Sequence, residues 1–191
     1  MRPMLVTALT IPLPEWVDAT VGNWGKPLET DVERMELAIE LSRLNVERGG
    51  GPFAALVFSG EDWLGAGVNR VMDSGFSIAH AEVLALMTAQ QRRRERLADV
   101  GRPLTLVTTT EPCCQCFGAM IWAGVERLVC GATTADAEVI GFDEGPKPEG
   151  WVRVLERRGV SVATEVGRER ARVVLQQYAS AGGKIYGAGL N

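Results

Sequence analysis

A chain of 191 residues, 46% hydrophobic and 23% charged, is long enough to bury the core of a compact globular domain. Its formal net charge of −4 disfavours a partner that is bound by neutralising phosphates, as nucleic acid is. No stretch is long and apolar enough to predict a transmembrane helix, and residues 1–10 have no cleavage pattern, so neither a membrane location nor a signal peptide is expected.

The N-terminal part of the chain predicts an extension followed by a long helix. Residues 1–29 contain prolines and tryptophans without periodicity, and we expect an N-terminal extension that lies on the domain. A helix is predicted from Asp31 to about Arg48, because Thr30 and Glu33 form a capping-box pattern at its start. Its apolar residues cover more than one stripe, which predicts that much of this helix is buried.

A glycine-rich run and a hairpin are predicted next. Residues 49–52, Gly-Gly-Gly-Pro, end the helix, and residues 53–58 and 63–68 predict two strands joined by a turn. The glycine-rich run is typical of a turn, but it also allows backbone to approach a flat ligand closely. Asn69, after the second strand, is interpreted either as a turn residue or as an amide that recognises a base.

A loop over residues 70–77 leads to a helix predicted over residues 79–97, which begins beside His80, the only histidine of the chain. The C-terminal end of this helix carries a basic run that comprises Arg92, Arg93, Arg94 and Arg96. Positive side chains suit the C-terminal end of a helix dipole, so a solvated helix end explains the run. RNA binding is the alternative.

The second half of the chain predicts alternating strands and helices. Residues 104–109 predict a strand that leads to Glu111 and to a helix starting at Pro112, where proline is well tolerated. Residues 127–132 predict the next strand. The remaining predictions are helices over 135–140, 151–158 and 168–181, a turn-rich loop over 141–146, a fifth strand over 160–165, and a tail over 182–191 that covers a site or frays.

This alternation predicts one domain over residues 1–191, an α/β three-layer α/β/α sandwich with a five-stranded central mixed sheet. The two groups of chemically reactive residues both start helices. We therefore expect them to meet at the carboxyl ends of the strands.

Two cysteines and the histidine have the spacing of a catalytic zinc site. Cys113 and Cys116 are three residues apart, so both sulfurs point from one helix face, and the helix N-terminus favours their thiolate forms. With the imidazole of His80 they provide three ligands and leave the fourth tetrahedral position for water. Glu82 is close enough to reach that water without binding the metal. Cysteines at such spacing also indicate a reducing compartment, and we expect a cytoplasmic protein.

A structural zinc site with a fourth cysteine ligand is the alternative interpretation. Cys114 projects about a third of a turn away from the face of its neighbours. Cys130 lies in an apolar run that is typical of a packed strand. A hydrolase with Cys114 as its nucleophile is a further alternative, although the sole histidine is better used as a metal ligand.

The order H-x-E followed by P-C-x-x-C is the signature of zinc-dependent nucleobase deaminases. The chain resembles the cytidine-deaminase superfamily from the Asp31 helix to the C-terminus, and within it the small bacterial guanine deaminases most. The matching stretches are Gly50-Gly51-Pro52-Phe53, Ala79-His80-Ala81-Glu82, Glu111-Pro112-Cys113, Phe117-Gly118-Ala119 with Trp122, and Gly141-Phe142-Asp143-Glu144. The last of these distinguishes guanine deaminases from RNA-editing adenosine deaminases and short cytidine deaminases.

The resemblance implies a cytidine-deaminase-like fold that binds one Zn²⁺ per chain. It implies that Glu82 serves the attacking water, and that Glu144 is a second proton shuttle, which serves the amine leaving C2 of guanine. Phe53 and Trp122 would wall the pocket, Asn69 would bind the polar edge of the base, and the tail with Tyr186 would close over it. The substrate-binding residues that the resemblance implies are Phe53, Asn69, Ala81, Trp122, Phe142 and Tyr186.

The implied activity is the hydrolysis of guanine to xanthine and ammonia by a homodimer, whose terminal segments are exchanged between subunits in some relatives. The chain departs from the family between its two cysteine ligands, where Cys114 and Gln115 replace proline or another apolar residue and methionine. This departure leaves open cytosine, a nucleoside, another aminopurine or an aminotriazine as the substrate. The alternative from a different class is an RNA-editing or RNA-binding module.

Overall fold

The structure, a computed structural model, describes residues 9–93 and 103–187. Several predictions fall outside these residues: the first eight positions of the N-terminal extension, the end of the helix predicted over 79–97, and positions 188–191 of the tail. Arg94 and Arg96 of the basic run lie there as well, as does the side chain of Arg93.

Within the described residues, five strands form one mixed sheet in the order β2-β1-β3-β4-β5. β1 pairs in antiparallel fashion with β2 and with β3, whereas β3, β4 and β5 run parallel. The predicted hairpin and the predicted five-stranded mixed sheet are confirmed. The strands are β1 (Ala54–Ser59), β2 (Asp62–Val68), β3 (Leu104–Thr110), β4 (Arg127–Ala132) and β5 (Ser161–Ala163).

The helices of the described ranges are all too short or too polar to cross a membrane. The capping box of Thr30 and Glu33 is confirmed at the start of the second helix. Two helices were not predicted: the first one and the single turn inside the loop over 70–77. The helices are α1 (Glu15–Gly22), α2 (Asp31–Glu47), α3 (Val71–Ser74), α4 (Ala81–Arg93), α5 (Cys114–Trp122), α6 (Thr134–Val139), α7 (Trp151–Glu156) and α8 (Arg168–Ser180).

The sheet has a hydrophobic core on each face, because successive side chains of a strand point to opposite sides. Ala55 and Val57 of β1 belong to a core shared with α4, α5 and α7. Leu56 and Phe58 of the same strand belong to a core shared with α1 and α2, and α8 packs beside it against β4. Helices therefore cover both faces of the sheet, which confirms the three-layer architecture.

Helix α1 shows why the N-terminal segment was predicted only as an extension. Its two buried residues, Val17 and Val21, are four apart and provide one narrow apolar stripe. Eight residues with a single stripe give too weak a periodic signal to predict a helix. The tertiary contact with the second core is what stabilises this helix.

Helix α4 lies unusually close to β2, and two glycines of that strand make this approach sterically feasible. A Cβ atom at Gly67 would stand 2.2 Å from the carbonyl oxygen of Ala81, and one at Gly65 would stand 2.5 Å from that of Ala85. Any side chain at either position would push the helix off the sheet. The two glycines thereby fix the height of the N-terminal end of α4 above the sheet.

Candidate metal centre and active site

His80 and Cys113 both stand immediately before a helix. The sequence predicted that His80 lies inside the helix, but α4 begins at Ala81. Cys113 is the N-cap residue of α5, so Pro112 precedes the helix and does not occupy its first turn. Strand β3 ends at Thr110 and delivers the chain directly to this cap. The loops that carry His80 and Cys113 therefore meet near the carboxyl end of β3.

Three potential metal ligands lie close together near the carboxyl end of β3. The His80 Nδ1 atom lies 3.4 Å from the Cys113 Sγ atom and 3.6 Å from the Cys116 Sγ atom. All three ligand atoms lie within 4.8 Å of one another, and the described residues contain no other such group of three. Tetrahedral zinc with ordinary Zn–N and Zn–S bond lengths separates a nitrogen and a sulfur ligand by about 3.6 Å. The residues present therefore fit a zinc ion.

The electrostatics of the cluster also favour a cation. A hydrogen bond from Cys116, together with one from His80, lowers the pKa of the Cys113 thiol to about 4 despite its burial. The same hydrogen bond and burial raise the pKa of Cys116. A thiolate is therefore already present in the absence of metal, and a cation that binds there can release the second thiol proton.

Two buried carboxyl groups face this thiolate. Glu82 and Glu144 are each 6% exposed. Burial, and after it the negative charge of Cys113, raises the pKa of Glu82. The same two causes raise the pKa of Glu144 to about 8. Such perturbed carboxyl groups in a cavity are suited to donate and accept protons near neutral pH.

Glu144 is held in place by the start of α5, although it lies 30 residues further along the chain. The Cys114 N–H donates a hydrogen bond of 2.9 Å to the Glu144 carbonyl oxygen. The next residue, Gly145, has a φ of +65°, and a Cβ there would stand 2.4 Å from the Cys114 Sγ atom. Cys114 is thus a neighbour of the Glu144 loop, and its side chain is exposed and outside the ligand cluster.

Eight of the residues predicted to form the site line one cavity: Phe53, Asn69, His80, Glu82, Cys113, Phe142, Glu144 and Tyr186. Thr110, Glu111, Asp143 and Gly187 line it as well and were not predicted as site residues. Glu111 stands directly before Pro112 in the matched motif, so its place in the motif was the available signal. Its carboxylate accepts hydrogen bonds from the Thr134 N–H and hydroxyl groups, which joins this loop to α6.

Two of the predicted substrate-binding residues lie elsewhere. Ala81 is fully buried in the core between α4 and the sheet and does not line the cavity. Trp122 is 91% exposed and does not wall the pocket of its own chain. The reason is helix length: Trp122 ends α5, nine residues after Cys113, and each residue rises about 1.5 Å along the axis.

Asn69 forms the turn that the sequence allowed, and it also lies at the cavity, as a base-recognising amide would. Its Oδ1 atom accepts a hydrogen bond of 3.1 Å from the Val71 N–H, which forms a turn. The residue is 2% exposed and lines the cavity. Because Oδ1 is engaged in the turn, the Nδ2 amino group is left to serve a ligand.

The C-terminal segment reaches the cavity, which Tyr186 and Gly187 help to line. The Tyr178 hydroxyl donates a hydrogen bond of 2.6 Å to the Lys184 carbonyl oxygen, which fixes the segment beyond α8. Tyr186 then packs edge-on against Phe142, with ring centroids 5.0 Å apart. Its buried hydroxyl group has no hydrogen-bond partner within the described residues. A polar atom of this kind at a cavity is placed to bind water or a ligand.

The remaining candidate residues point away from the cavity. The Gln115 side chain donates a hydrogen bond of 3.4 Å to the Ile78 carbonyl oxygen. Cys130 is buried in β4, where burial raises its pKa to about 12. Arg92 stacks on the ring of Trp63, 4.3 Å from the centroid. None of these three lines the cavity.

A family model, the cytidine and deoxycytidylate deaminase zinc-binding region, matches residues 28–132, which is more than half of the chain. The chain belongs to this family of zinc-dependent deaminases. Its metal-ligand cluster lies inside the matched region, as the family description requires.

Solved structures are similar to this chain over nearly its whole length. The chain is 42% identical to the guanine deaminase of Nitrosomonas europaea. The alignment covers 93% of this chain and 100% of that one, and the two structures superpose with a TM-score of 0.85. The chain is 44% identical to a second solved structure, that of the protein NE0047 in complex with 2,6-diaminopurine. That alignment covers 95% of this chain and 97% of the other, and the TM-score is 0.86.

The curated relatives include guanine, cytosine and tRNA-specific adenosine deaminases. The Bacillus subtilis guanine deaminase is 33% identical over 111 residues, which make up 58% of this chain and 69% of that protein. A tRNA-specific adenosine deaminase of Buchnera aphidicola is 35% identical over 103 residues, 53% of this chain and 66% of that protein. The chain thus spans somewhat less than two thirds of the Buchnera enzyme.

Proposed function

We propose that the protein hydrolyses a free nucleobase, guanine, to xanthine and ammonia with one zinc ion per chain. The observation that carries this proposal is the joint burial of Glu82 and Glu144 beside the ligand cluster in one cavity. Glu82 comes from the metal-binding stretch, whereas Glu144 comes from a separate loop. The similarity over nearly the whole chain to the Nitrosomonas guanine deaminase supports the choice of base.

Two carboxyl groups suit the two proton transfers that deamination at C2 requires. A bound zinc ion, held by His80, Cys113 and Cys116, would supply hydroxide at neutral pH by lowering the pKa of its water to about 7. Glu82 would take the proton of the attacking water and pass it to a ring nitrogen of the base as the oxygen adds to C2. Glu144 would then carry the proton of the new C2 hydroxyl group to the exocyclic amine, and the C2–N bond would break as the C2=O double bond forms, so that ammonia leaves. The balance is guanine and water to xanthine and ammonia.

The cavity offers the base an apolar wall and, among its polar groups, the amide of Asn69. The rings of Phe53 and Phe142 meet edge-on at 4.9 Å, and a flat purine fits against such aromatic surfaces. The Nδ2 amino group of Asn69 is a donor and therefore requires an acceptor atom on the base. Guanine presents ring-nitrogen and carbonyl acceptors, which satisfy it.

The closed mouth of the cavity favours a free base over a nucleoside or RNA. Tyr186 packs on Phe142 and approaches Gly51, where a Cβ atom would stand 2.2 Å from the tyrosine hydroxyl oxygen. A ribose attached to the base would have to displace this tyrosine. The same cover disfavours a polynucleotide substrate, and Arg92 of the basic run is already stacked on Trp63.

The test is ammonia release by the zinc-loaded protein, with guanine, guanosine, cytosine, cytidine, adenine and an aminotriazine offered in parallel. We expect release from guanine and none from guanosine. Release from cytosine or the aminotriazine with guanine inert would contradict the proposed base and leave the zinc chemistry intact. Release from guanosine at the rate of guanine would contradict the closed mouth.

We also propose that the protein is a cytoplasmic homodimer. The exposed Trp122 stands beside Met87, which is 43% exposed, and a shallow apolar groove runs between α4 and α5. Such a patch is typical of a surface that a partner covers. We expect a dimer in sedimentation velocity that dissociates in Trp122→Ser. A monomeric wild-type protein would contradict this proposal.

A further inference from the structure

A buried amide outside the cavity connects the loops that form its polar side. Asn45 lies near the end of α2 and is completely buried. Its Nδ2 group donates a hydrogen bond of 2.8 Å to the Gly51 carbonyl oxygen. It donates a second one of 3.1 Å to the Asn69 carbonyl oxygen. One side chain of α2 thus spans two separate stretches of the pocket wall.

The surroundings of Asn45 leave it little freedom. A Cβ atom at Gly50 would stand 2.5 Å from both the Nδ2 and the Oδ1 atoms of Asn45, so Gly50 packs flat against the amide. The Gly50 N–H donates a hydrogen bond of 2.8 Å to the Asn45 carbonyl oxygen. The amide is therefore fixed by the backbone at Gly50, and this contact explains the glycine at that position, whereas Gly49 has a φ of +82° in the turn after α2.

The two carbonyl groups that accept from Asn45 belong to Gly51 and Asn69, which lie next to residues of the cavity wall. A Cβ atom at Gly51 would stand 3.1 Å from the Asn69 Oδ1 atom and 2.2 Å from the Tyr186 hydroxyl oxygen. The Asn69 N–H donates a hydrogen bond of 3.0 Å to the Phe53 carbonyl oxygen. A shift of either loop would therefore move the Asn69 amide, the Phe53 ring and the seat of Tyr186 relative to one another.

We infer that Asn45 is a positioning residue for substrate recognition, which acts through Asn69 without touching the base. The inference rests on the proposed function, since it assigns Asn69 to the substrate. Removing the Nδ2 donor leaves two buried carbonyl groups without this partner, and buried groups of that kind move towards other partners. The site would keep its metal ligands and lose the orientation of its base-binding amide.

The test is a double-mutant cycle of Asn45→Ala and Asn69→Ala, each loaded with zinc. We expect Asn45→Ala to lower kcat/KM by about tenfold to a hundredfold, mainly through KM, because the two loops that hold the Asn69 amide lose the donor that they share. In the Asn69→Ala background the same change should cost less than about threefold. Equal losses in both backgrounds would overturn the inference, because the effects of two independent substitutions on kcat/KM multiply, whereas a residue that acts through Asn69 has little effect once Asn69 is gone.

Ser42 provides the matched control. It lies one turn earlier on α2, is 1% exposed, and its hydroxyl has no hydrogen-bond partner within the described residues. Ser42→Ala should leave KM and zinc content unchanged. Asn45→Asp keeps the shape of the side chain and removes the donor, so it should behave like Asn45→Ala. Failure of both Asn45 variants to fold beside an intact Ser42→Ala would overturn the inference, since Asn45 would then hold the whole fold.

A second readout does not depend on turnover. Amide hydrogen exchange in the peptides that contain residues 51–53 and 69–71 should accelerate in both Asn45 variants and in neither segment of Ser42→Ala. Unchanged exchange would overturn the inference. If the wild-type protein deaminates another base of the panel, the cycle is measured on that base. If it deaminates none, the proposed function fails alone, and hydrogen exchange still decides the role of Asn45.

Discussion

The cavity has two halves that are held in different ways. The metal half consists of His80, Glu82, Cys113 and Cys116, which lie in or beside the first turns of α4 and α5. The substrate half contains Phe142, Glu144 and Tyr186, which lie in the loop after α6 and in the C-terminal segment. The first half stands on packed elements, and the second stands on irregular backbone.

The difference shows where the chemistry and the selectivity of such a protein are stored. The metal half is fixed by the contact of α4 with the glycines of β2 and by the strand that leads to Cys113. The substrate half is tied down by a few hydrogen bonds, among them those from the Cys114 N–H and the Tyr178 hydroxyl. Loops can change while the scaffold stays, so selectivity is expected to vary more readily than the reaction.

The largest effect is expected from Glu82→Gln, which removes the group that we propose as the proton carrier of the metal half. We expect the rate of ammonia release to fall by about 10²–10⁴-fold, the usual contribution of general acid–base catalysis. Zinc content, measured by atomic absorption, should stay at one per chain because the ligands are untouched. Activity within about tenfold of wild type would contradict the role of Glu82.

Glu144→Gln removes the group that we propose as the proton carrier of the substrate half. The expected loss is about 10²-fold in kcat, with a much smaller change in the Kd for 8-azaguanine, because the group acts on the leaving amine. Single-turnover kinetics and calorimetric titration measure the two quantities. An unchanged kcat would remove the second shuttle and leave Glu82 as the only proton carrier.

The covering segment is tested by Tyr186→Ala. We expect KM for guanine to rise by about tenfold while kcat changes less, since an aromatic contact and one buried hydroxyl contact are lost at the mouth. Guanosine should become a better substrate relative to guanine. The comparison of steady-state kinetics on the two compounds is the measurement, and an unchanged ratio would show that the segment does not select the base.

In the zinc-free protein, the buried carboxyl group of Glu144 should make the free energy of unfolding depend on pH. Burial, as the largest cause, raises the pKa of Glu144 in the folded protein to about 8 from its ordinary value of 4.5. Its protonated form therefore stabilises the fold fully below pH 4.5, and this contribution is lost as the pH rises towards 8. Relative to Glu144→Gln, the unfolding free energy of wild type should fall by at most about 1.4 kcal/mol per pH unit. Parallel urea-denaturation profiles would contradict the raised pKa.

Much of the metal half could be predicted from the sequence because its signals are local. The H-x-E stretch and the two cysteines three residues apart involve neighbours within one or two helical turns. The capping box of Thr30 and Glu33, which was predicted at the start of α2, is local in the same way. The start of α4 was placed two residues too early, since a buried loop residue such as Ala79 has the same apolar character as a helical one.

The substrate half was less accessible because its contacts join distant parts of the chain. Trp122 was assigned to the pocket from the family pattern, and its position at the far end of α5 places it on the surface of the chain. Asn45 carried no motif, and its bonds to Gly51 and Asn69 span 6 and 24 residues. A side chain that acts through such bonds has no signature in the local sequence.

The sequence by itself determined the alternation of strands and helices, the ligand types and the class of reaction, because periodicity and ligand chemistry are properties of neighbouring residues. Tertiary structure alone decided that Glu144, Glu82 and Tyr186 line one cavity, and that Asn45 joins two of the loops at its wall. These contacts depend on how the packed layers bring remote segments together. Burial then gives the carboxyl groups their raised pKa values, which no local pattern encodes.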